Sequence, residues 1–441
     1  MMRLLNLLAL LFLTLLMQKF ALAGSVLPQY AQDKSLGVVT CASSLCHGSI
    51  ETWKDSNVLQ NEYVTWIRTD KHARAYTVLL NSLSKDIAKK LGLKEPAHKA
   101  AVCLDCHAHN PAPAQRGEQY DVSDGVSCEA CHGPAERWIK SHVELRATHE
   151  DNLAKGLYRT ENDVQRVELC LSCHLGTQKK LVTHKIMAAG HPRLSFELDT
   201  FTQIGPAHFR IDEDWNKRKG SWDGVRAWAI GQAVAARELL ALLVSPRGRD
   251  GLFPELVLFD CHSCHHNMSD KRNTAARVGA GPGIVRLNDA NFLMLRHIAR
   301  RVDSNLGEQL ARQVLALHHA VAGGDDALKK AREVQDSVAK LIPKISAHRF
   351  TAADLRQIML GLIDEGLAGQ YGDYQGAEQA VMAVQSVADF MGRNGMLRTS
   401  SLRQNFRQLL SLVANDEKYR SASFEQALRS LKSNIVSGGA K

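Results

Sequence analysis

All ten cysteines of this 441-residue chain occur in five pairs, and a histidine directly follows the second cysteine of each pair. Cys-x-x-Cys-His is the attachment sequence of c-type haem, in which two thioether bonds hold the porphyrin and the histidine ligates the iron. The sequence therefore predicts five covalently bound haem c groups. In chain order, motifs 1 to 5 are Cys41, Cys46 and His47; Cys103, Cys106 and His107; Cys128, Cys131 and His132; Cys170, Cys173 and His174; and Cys261, Cys264 and His265.

Motif 1 differs from the other four because four residues, not two, separate its cysteines. The extra residues must bulge outwards if both thiols are to reach one porphyrin. Attachment through Cys46 alone, or no haem at this motif, remains the alternative.

Two other interpretations of the cysteines are disulfide bonds and structural zinc. An even number of cysteines suits a disulfide framework in an oxidising compartment, and Cys-x-x-Cys pairs also bind zinc. Neither interpretation explains a histidine after every pair. Haem attachment explains both features.

A haem that only carries electrons is best served by two strong axial ligands, so each motif histidine calls for a second ligand from elsewhere. The sequence context of five histidines suggests this role, because helical stretches, small neighbours or a fixed turn surround them: His72, His142, His184, His191 and His297. Lesser candidates are His98, His109, His208, His262 and His266, and a structural role is expected for His318, His319 and His348. Methionine would raise the potential of a haem that it ligated, and the candidates are Met187, Met268 and Met294.

The N-terminus has the features of a secretory signal peptide. Arg3 precedes an apolar run over residues 4–16, and Ala21-Leu-Ala23 before Gly24 is typical of a cleavage site. The sequence therefore predicts a signal peptide over residues 1–23 and a periplasmic protein, with a retained membrane anchor as the alternative.

The composition suggests a basic protein, with 55 Lys and Arg against 46 Asp and Glu and a formal charge of +9. Removal of Arg3 and Lys19 with the signal peptide lowers this to about +7, and the propionates of five haems lower it to about −3 with ferrous irons or about +2 with ferric irons. Nucleic-acid binding therefore has no support.

The fold class predicted is mainly α, with two regions after the signal peptide. Residues 24–287 carry every haem motif and many Gly and Pro residues, which indicates short helices joined by long irregular loops. The haems themselves must supply much of the apolar core there. Within this region Trp222 to Leu243 is predicted as one long helix, whose small residues suit either a haem face or another helix.

Residues 288–441 contain no cysteine and are predicted to form a helical bundle. Apolar stripes at helical spacing run from Leu328 to Leu341, where Pro343 should end the helix, and from Val381 to Met391. A further stripe begins at Leu402, and Thr351 with Asp354 is predicted to cap a helix.

Two segments resemble the family of the tetrahaem cytochrome c of ammonia oxidisers, which is related in haem arrangement to octahaem hydroxylamine oxidoreductase. They are the sequence DGVSCEACHGP at residues 124–134 and CLSCHLG at 170–176, followed by Gly190-His-Pro192. The likeness extends over about residues 41–197, and residues 260–266 resemble an extra haem site of other relatives.

The resemblance implies closely stacked haems and particular axial partners. It implies that His72 serves the haem on His132, that His142 serves the haem on His47, and that the haem on His107 is five-coordinate. His98 and His109 lie near that motif in sequence. The widened motif 1, the fifth motif and the C-terminal helices depart from the family, so no physiological partner can be transferred.

The function favoured by these features is electron transfer between periplasmic or membrane-bound redox proteins, with no catalytic residue assigned. The alternative is an oxidoreductase in which one open haem acts on a small nitrogen or sulfur compound. A sensor or a filament subunit is a third class, and the oligomeric state is left open by the sequence.

Overall fold

The computed structural model describes residues 26–249, 254–265, 285–323 and 326–438. The predicted signal peptide, His266, Met268 and most of the basic segment before Leu287 lie outside the described residues. Two isolated β-bridges, Ser35 with Arg116 and Phe259 with Leu287, are the extended pairings found in the described ranges. The predicted mainly α class is confirmed.

The haem region consists of short helices and long connections, as predicted. Its first helices are α1 (Glu62–Thr69), α2 (Ala75–Val78), α3 (Ser82–Leu91), α4 (Ala101–His107), α5 (Cys128–His132) and α6 (His149–Ala154). They are followed by α7 (Asp163–His174), α8 (His184–Ala188), α9 (Leu198–Ile204), α10 (Glu213–Lys219) and α11 (Gly224–Val244).

The C-terminal region contains longer helices. They are α12 (Ala290–Val302), α13 (Ser304–Val321), α14 (Ala327–Ala347), α15 (Ala352–Leu367), α16 (Tyr374–Arg393), α17 (Arg403–Leu412) and α18 (Ser421–Gly438). Thr351 and Asp354 form the predicted capping box at the start of α15.

Pro343 does not end its helix, and that prediction is wrong. Helix α14 continues past it to Ala347. Proline removes one backbone donor, but the side chains of Ile342 and Ile345 on either side are buried in the core and hold the last turn in place.

Helix α11 is the central element of the main core. Most of its residues are buried, from Gly224 at its start to Leu243 near its end, and it packs against α14, α12 and α16. Among the described helices it is the one long and apolar enough to cross a membrane, but 78% of its apolar window is buried inside the protein. A core helix satisfies the same criteria of length and composition.

The small-residue face of α11 contacts another helix. A Cβ atom added to Gly231 would lie 3.1 Å from the Cβ of Leu198 in α9. Of the two uses predicted for this face, the structure shows helix packing. One apolar core therefore runs from α7 and α9 through α11 into the bundle, and the predicted boundary at residue 287 does not separate two cores.

The apolar side chains around motifs 1 to 3 form only small buried clusters within the described part of the chain. One is centred on Leu79 and Leu104, and the other contains Val38, Trp66 and Ala73. Such clusters are too small to hold over a hundred residues in place, which agrees with the expectation that cofactors complete this core.

Candidate haem centres

Motifs 2, 3 and 4 lie at the C-terminal ends of short helices. Helices α4, α5 and α7 each end at the motif histidine: His107, His132 and His174. A helical turn places both cysteines and the histidine on neighbouring faces, which is the arrangement that attachment to one porphyrin requires. Motif 5 begins with a 3₁₀ turn over Cys261–Ser263.

Despite its two extra residues, motif 1 has the same backbone hydrogen bond between its histidine and its first cysteine as motif 5 has. The amide of His47 donates to the carbonyl of Cys41 at 3.2 Å, and the amide of His265 donates to the carbonyl of Cys261 at 2.8 Å in motif 5. The extra residues of motif 1 form a turn in which Leu45 is exposed. The predicted outward bulge is therefore present, and both cysteines stay beside His47.

The structure places a second imidazole opposite every motif histidine. The five pairs of ring centroids are separated by 6.1 to 6.3 Å. Nine of the ten predicted ligand histidines take part. The pairs are His47 with His142, His107 with His191, His132 with His208, His174 with His72, and His265 with His184.

This repeated separation fits one iron between each pair of rings. A metal–imidazole bond of about 2 Å on each side, with each ring centre roughly 1 Å beyond its nitrogen, gives roughly 6 Å between ring centres. Rings in direct stacking contact would be closer.

The relative orientation of the two rings divides the pairs into two groups. The ring planes of His47 and His142 make an angle of 16°, and those of His184 and His265 make 32°. The other three pairs are close to perpendicular, at 82° to 89°.

Hydrogen bonds hold several of these rings with Nε2 free. His107 Nδ1 lies 3.0 Å from the carbonyl oxygen of Ala75, and His142 and His191 use Nδ1 in the same way with neighbouring carbonyls. His47 and His72 instead direct Nδ1 at a carboxylate. Histidines that ligate metals are commonly oriented by such a bond from the other ring nitrogen.

Several histidines outside the pairs use the opposite nitrogen. His109 Nε2 is bonded to Ser35 at 2.7 Å, His149 Nε2 to Glu161 at 2.8 Å, and His297 Nε2 to Glu365. The nitrogen that would bind iron is therefore occupied in these three residues. His318 and His348 face Asp289 and Asp354 at the longer distances of 3.5 and 3.8 Å, and His262 Nδ1 accepts from the amide of Tyr374 at 3.1 Å.

The prediction of His297 as a haem ligand is wrong. Its Nε2 is bonded to Glu365, and it lines an open cleft of about 620 Å³ in the bundle between α12 and α15, away from all five motifs. The helical pattern that suggested a ligand comes from packing in the bundle core.

Two pairings implied by the family resemblance also differ from the structure. His72 lies opposite His174, not His132, because the 3₁₀ turn Lys71–Arg74 directs it towards motif 4. His191 lies opposite His107, so the expected vacancy at motif 2 is filled. The implied pair of His47 and His142 is present.

His208 takes the place opposite His132 and was only a lesser candidate from the sequence. It lies in the loop after α9, which ends at Ile204. No helical spacing marks it, and Pro206 is the only local signal of a fixed turn.

The electrostatic environment of motif 3 favours neutral imidazole. Burial, followed by the nearby His208, lowers the pKa of His132 to about 4. A neutral ring offers a lone pair for a metal at ordinary pH.

Contacts between motifs define which centres are neighbours. The neighbouring thiol of Cys128 in motif 3 raises the pKa of Cys41 in motif 1, so these two side chains lie close together. Burial, and then the nearby Cys170 of motif 4, raise the pKa of Cys131 in motif 3 to about 12. Motif 3 therefore lies between motifs 1 and 4.

Motif 4 is in turn adjacent to motif 2. The neighbouring thiol of Cys173 raises the pKa of Cys106, and Cys173 Sγ lies 3.9 Å from the carbonyl oxygen of Asp105. Lys180 Nζ lies 2.8 Å from the carbonyl oxygen of Asp105 and 3.1 Å from Cys173 Sγ, so it bridges the two motifs.

Motif 2 is linked to motif 5 by one short segment. His184 begins helix α8, and His191 follows three residues after its end. These two rings face His265 of motif 5 and His107 of motif 2. The order of neighbouring centres is therefore 1, 3, 4, 2, 5.

An N-terminal segment, residues 29–37, secures several motifs from outside. Gln29 binds the Asp105 side chain at 3.1 Å and accepts from Lys180 at 2.8 Å. Ser35 binds the buried His109. The segment thus joins the surroundings of motifs 2 and 4.

The alternative uses of the cysteines find no support in this geometry. All ten cysteines are free of disulfide bonds. Among the described residues, no group of three or more His, Cys, Asp or Glu side chains converges as a metal site. Zinc sites of four thiolates would require such convergence.

The motifs and their paired imidazoles define a c-type cytochrome with several haem sites, a class of electron-transfer proteins with covalently bound haem c. The sequence model of a family described as cytochrome c554 and c-prime matches residues 40–133, which include motifs 1 to 3. No curated protein and no solved structure matches the chain.

Proposed function

We propose that this protein is a periplasmic pentahaem cytochrome that carries electrons between redox proteins. The observation that supports this function is the set of five opposed histidine pairs, each with ring centroids 6.1 to 6.3 Å apart. The periplasmic location is supported by the signal peptide predicted from the sequence at residues 1–23.

Each haem would supply a one-electron ferric/ferrous couple, and the protein's residues set its surroundings. The two imidazoles of each pair would hold the iron from both sides in either oxidation state, which would limit rearrangement when an electron moves. All five motifs lie in the described ranges and each has its opposing ring, so with haem bound none would leave a position for a substrate. This favours a carrier over an oxidoreductase.

The order of neighbouring motifs supports conduction along one path. Motifs 1 and 5 are the two ends of the series 1, 3, 4, 2, 5. Redox partners, soluble in the periplasm or bound to a membrane, would exchange electrons at these ends. The nearly neutral charge expected of the haem-loaded chain gives a nucleic acid no role as partner.

A relationship to the tetrahaem cytochromes of ammonia oxidisers is a further part of the proposal. The match over residues 40–133 and the sequences around motifs 3 and 4 support it. In the proposed axial pairs, His72 serves the haem on His174 and His191 serves the haem on His107. These pairs differ from those that the resemblance implied, and they fill the ligand position at motif 2 that it left open.

Electron paramagnetic resonance (EPR) of the oxidised protein tests this function. Perpendicular imidazole planes give low-spin ferric haem a highly anisotropic signal with a large maximum g-value, whereas near-parallel planes give a rhombic signal. We expect five low-spin haems per chain, three of the first type and two of the second, and an intact mass with five haems added.

A high-spin ferric signal, with carbon monoxide binding to the reduced protein, would contradict the carrier and favour the oxidoreductase. Four added haems would contradict the assignment of one motif. Motif 1 is the first to check, by peptide mapping of Cys41 and Cys46.

A further inference from the structure

The orienting hydrogen bonds of the paired histidines are not chemically equivalent. His47 Nδ1 lies 2.9 Å from the carboxylate of Glu62, and His72 Nδ1 lies 2.9 Å from the carboxylate of Asp70. Both rings of the pair at motif 2, His107 and His191, are instead bonded to backbone carbonyls, at 3.0 and 2.8 Å. A charged acceptor thus serves motifs 1 and 4, and two neutral acceptors serve motif 2.

The Glu62 carboxylate is fixed in place by the start of helix α1. Its Oε1 accepts from the amides of Leu59 and Gln60, at 3.0 and 3.2 Å, while Oε2 accepts from His47. Its side chain is only 18% exposed. The carboxylate cannot turn away from the imidazole without losing these bonds.

Asp70 is fixed by a turn of its own. It caps the 3₁₀ helix Lys71–Arg74, and its Oδ1 accepts both the backbone amide and the ring Nδ1 of His72, each at 2.9 Å. Its side chain is 17% exposed. The same oxygen therefore sets the backbone and the ring orientation of His72.

A carboxylate acceptor changes the imidazole electronically. It draws the Nδ1 proton towards itself, which makes Nε2 a stronger donor to a metal. A stronger donor and a nearby negative charge both stabilise ferric over ferrous iron, and partial burial preserves the charge effect. A carbonyl acceptor has the same effect to a smaller degree.

We propose that Glu62 and Asp70 are positioning residues that lower the reduction potentials of the haems at motifs 1 and 4 relative to the haem at motif 2. This inference rests on the proposed axial pairs. In the order 1, 3, 4, 2, 5, an electron would therefore reside on the haem at motif 2 in preference to the haems at motifs 1 and 4.

Redox titrations of the full-length haem-loaded protein, followed by absorbance and EPR, test the inference with Glu62→Gln and Asp70→Asn. Each variant should make one haem easier to reduce, with a reduction equilibrium constant about tenfold larger, or about 59 mV for a one-electron couple. The ring angles identify the haem. Glu62→Gln should shift a rhombic signal, and Asp70→Asn a large-g signal.

Two variants provide matched controls. Asp121 caps a 3₁₀ helix by accepting the amide two residues later, as Asp70 does, but binds no histidine. Glu150 is exposed and binds Arg159. Asp121→Asn and Glu150→Gln should leave all five potentials within about a factor of two in equilibrium constant.

The outcomes separate this inference from the proposed function. Unchanged potentials in Glu62→Gln and Asp70→Asn proteins that remain fully low-spin would overturn the tuning role and leave the axial pairs intact. A high-spin haem at motif 1 or 4 in the unaltered protein would overturn both. If Glu62→Gln does not load haem, Glu62→Asp tests the same bond, and the shift should then be smaller than in Asp70→Asn.

Discussion

At the scale of single residues, several paired histidines and several of the others differ in which ring nitrogen is hydrogen-bonded. The partners of His107, His142 and His191 hold Nδ1, whereas those of His109 and His149 hold Nε2. A ring that is held through Nδ1 has its Nε2 free to bind a metal between the two opposing histidines. The distinction depends on hydrogen bonds that no sequence pattern records.

His208 offers the sharpest test at this scale. His208→Ala should leave the haem at motif 3 with one axial ligand, so one of the large-g signals should be replaced by a high-spin signal and the reduced protein should bind carbon monoxide. His297→Ala is the matched control, because His297 is bonded to Glu365 and faces no motif histidine. A low-spin spectrum in both variants would show that His208 is not a ligand.

The motif histidines could be predicted because each is adjacent in sequence to its cysteines. Their opposing rings come from far along the chain: His72 is 102 positions from His174. Local context identified His142, His184 and His191 as candidates, but not their pairing. It underrated His208, which lies in a loop, and overrated His297, because apolar neighbours on a helix also suit an ordinary core position.

At the scale of elements, the short motif helices depend on side chains that bind backbone amides from outside. Helix α5 contains Glu129, whose carboxylate accepts from the amides of Leu36, Gly37 and Ala135, each at 2.8 Å. Gly37 has φ +99°, and a Cβ there would lie 2.1 Å from the carbonyl oxygen of Gln119. Glu129 therefore connects motif 3 to the place where the backbone at Gly37 passes close to the backbone at Gln119.

Glu129→Ala should destabilise the haem-loaded protein by about 3 kcal/mol or more, because each buried donor left without a partner costs about 1–3 kcal/mol. Chemical denaturation followed at the Soret band measures the loss. Glu136→Ala is the control, since the exposed Glu136 binds only the amide of Lys34, and it should cost less than about 1 kcal/mol. Equal losses would show that the burial of Glu129 is unimportant.

At the scale of the whole molecule, helix α9 joins the haem region to the bundle. Leu198 packs on Gly231 of α11, and Gln203 of α9 accepts a hydrogen bond from Arg393 of α16 at 3.2 Å. Glu197 caps α9 by accepting from the amides of Asp199 and Thr200, at 2.8 and 2.7 Å. The sequence predicted the helices on both sides correctly, but a shared core depends on contacts between distant residues, which periodicity does not reveal.

The buried cap of α9 predicts a dependence of stability on pH. Burial raises the pKa of Glu197 from 4.5 to about 7, although its hydrogen bonds oppose the shift. Between these two values the folded state holds a proton that the unfolded state has released. The stabilisation by this group is therefore complete below pH 4.5 and is lost as pH rises through about 7.

Glu197→Gln should remove this dependence. Between pH 5 and 8 the free energy of unfolding of the unaltered protein should fall relative to the variant by an amount of the order of 3 kcal/mol. Denaturation series at several pH values measure the difference, with the exposed Glu213→Gln as control. Parallel curves for unaltered protein and Glu197→Gln would contradict the raised pKa.

The N-terminal segment has a consequence for how the chain is assembled. Residues 29–37 leave the ribosome early, yet the residues that bind them follow 74 to 151 positions later. Contacts so distant in sequence form slowly. The contact of Gln29 with Lys180 is the longest of them in sequence, so the segment is fully held only when the chain has folded through motif 4.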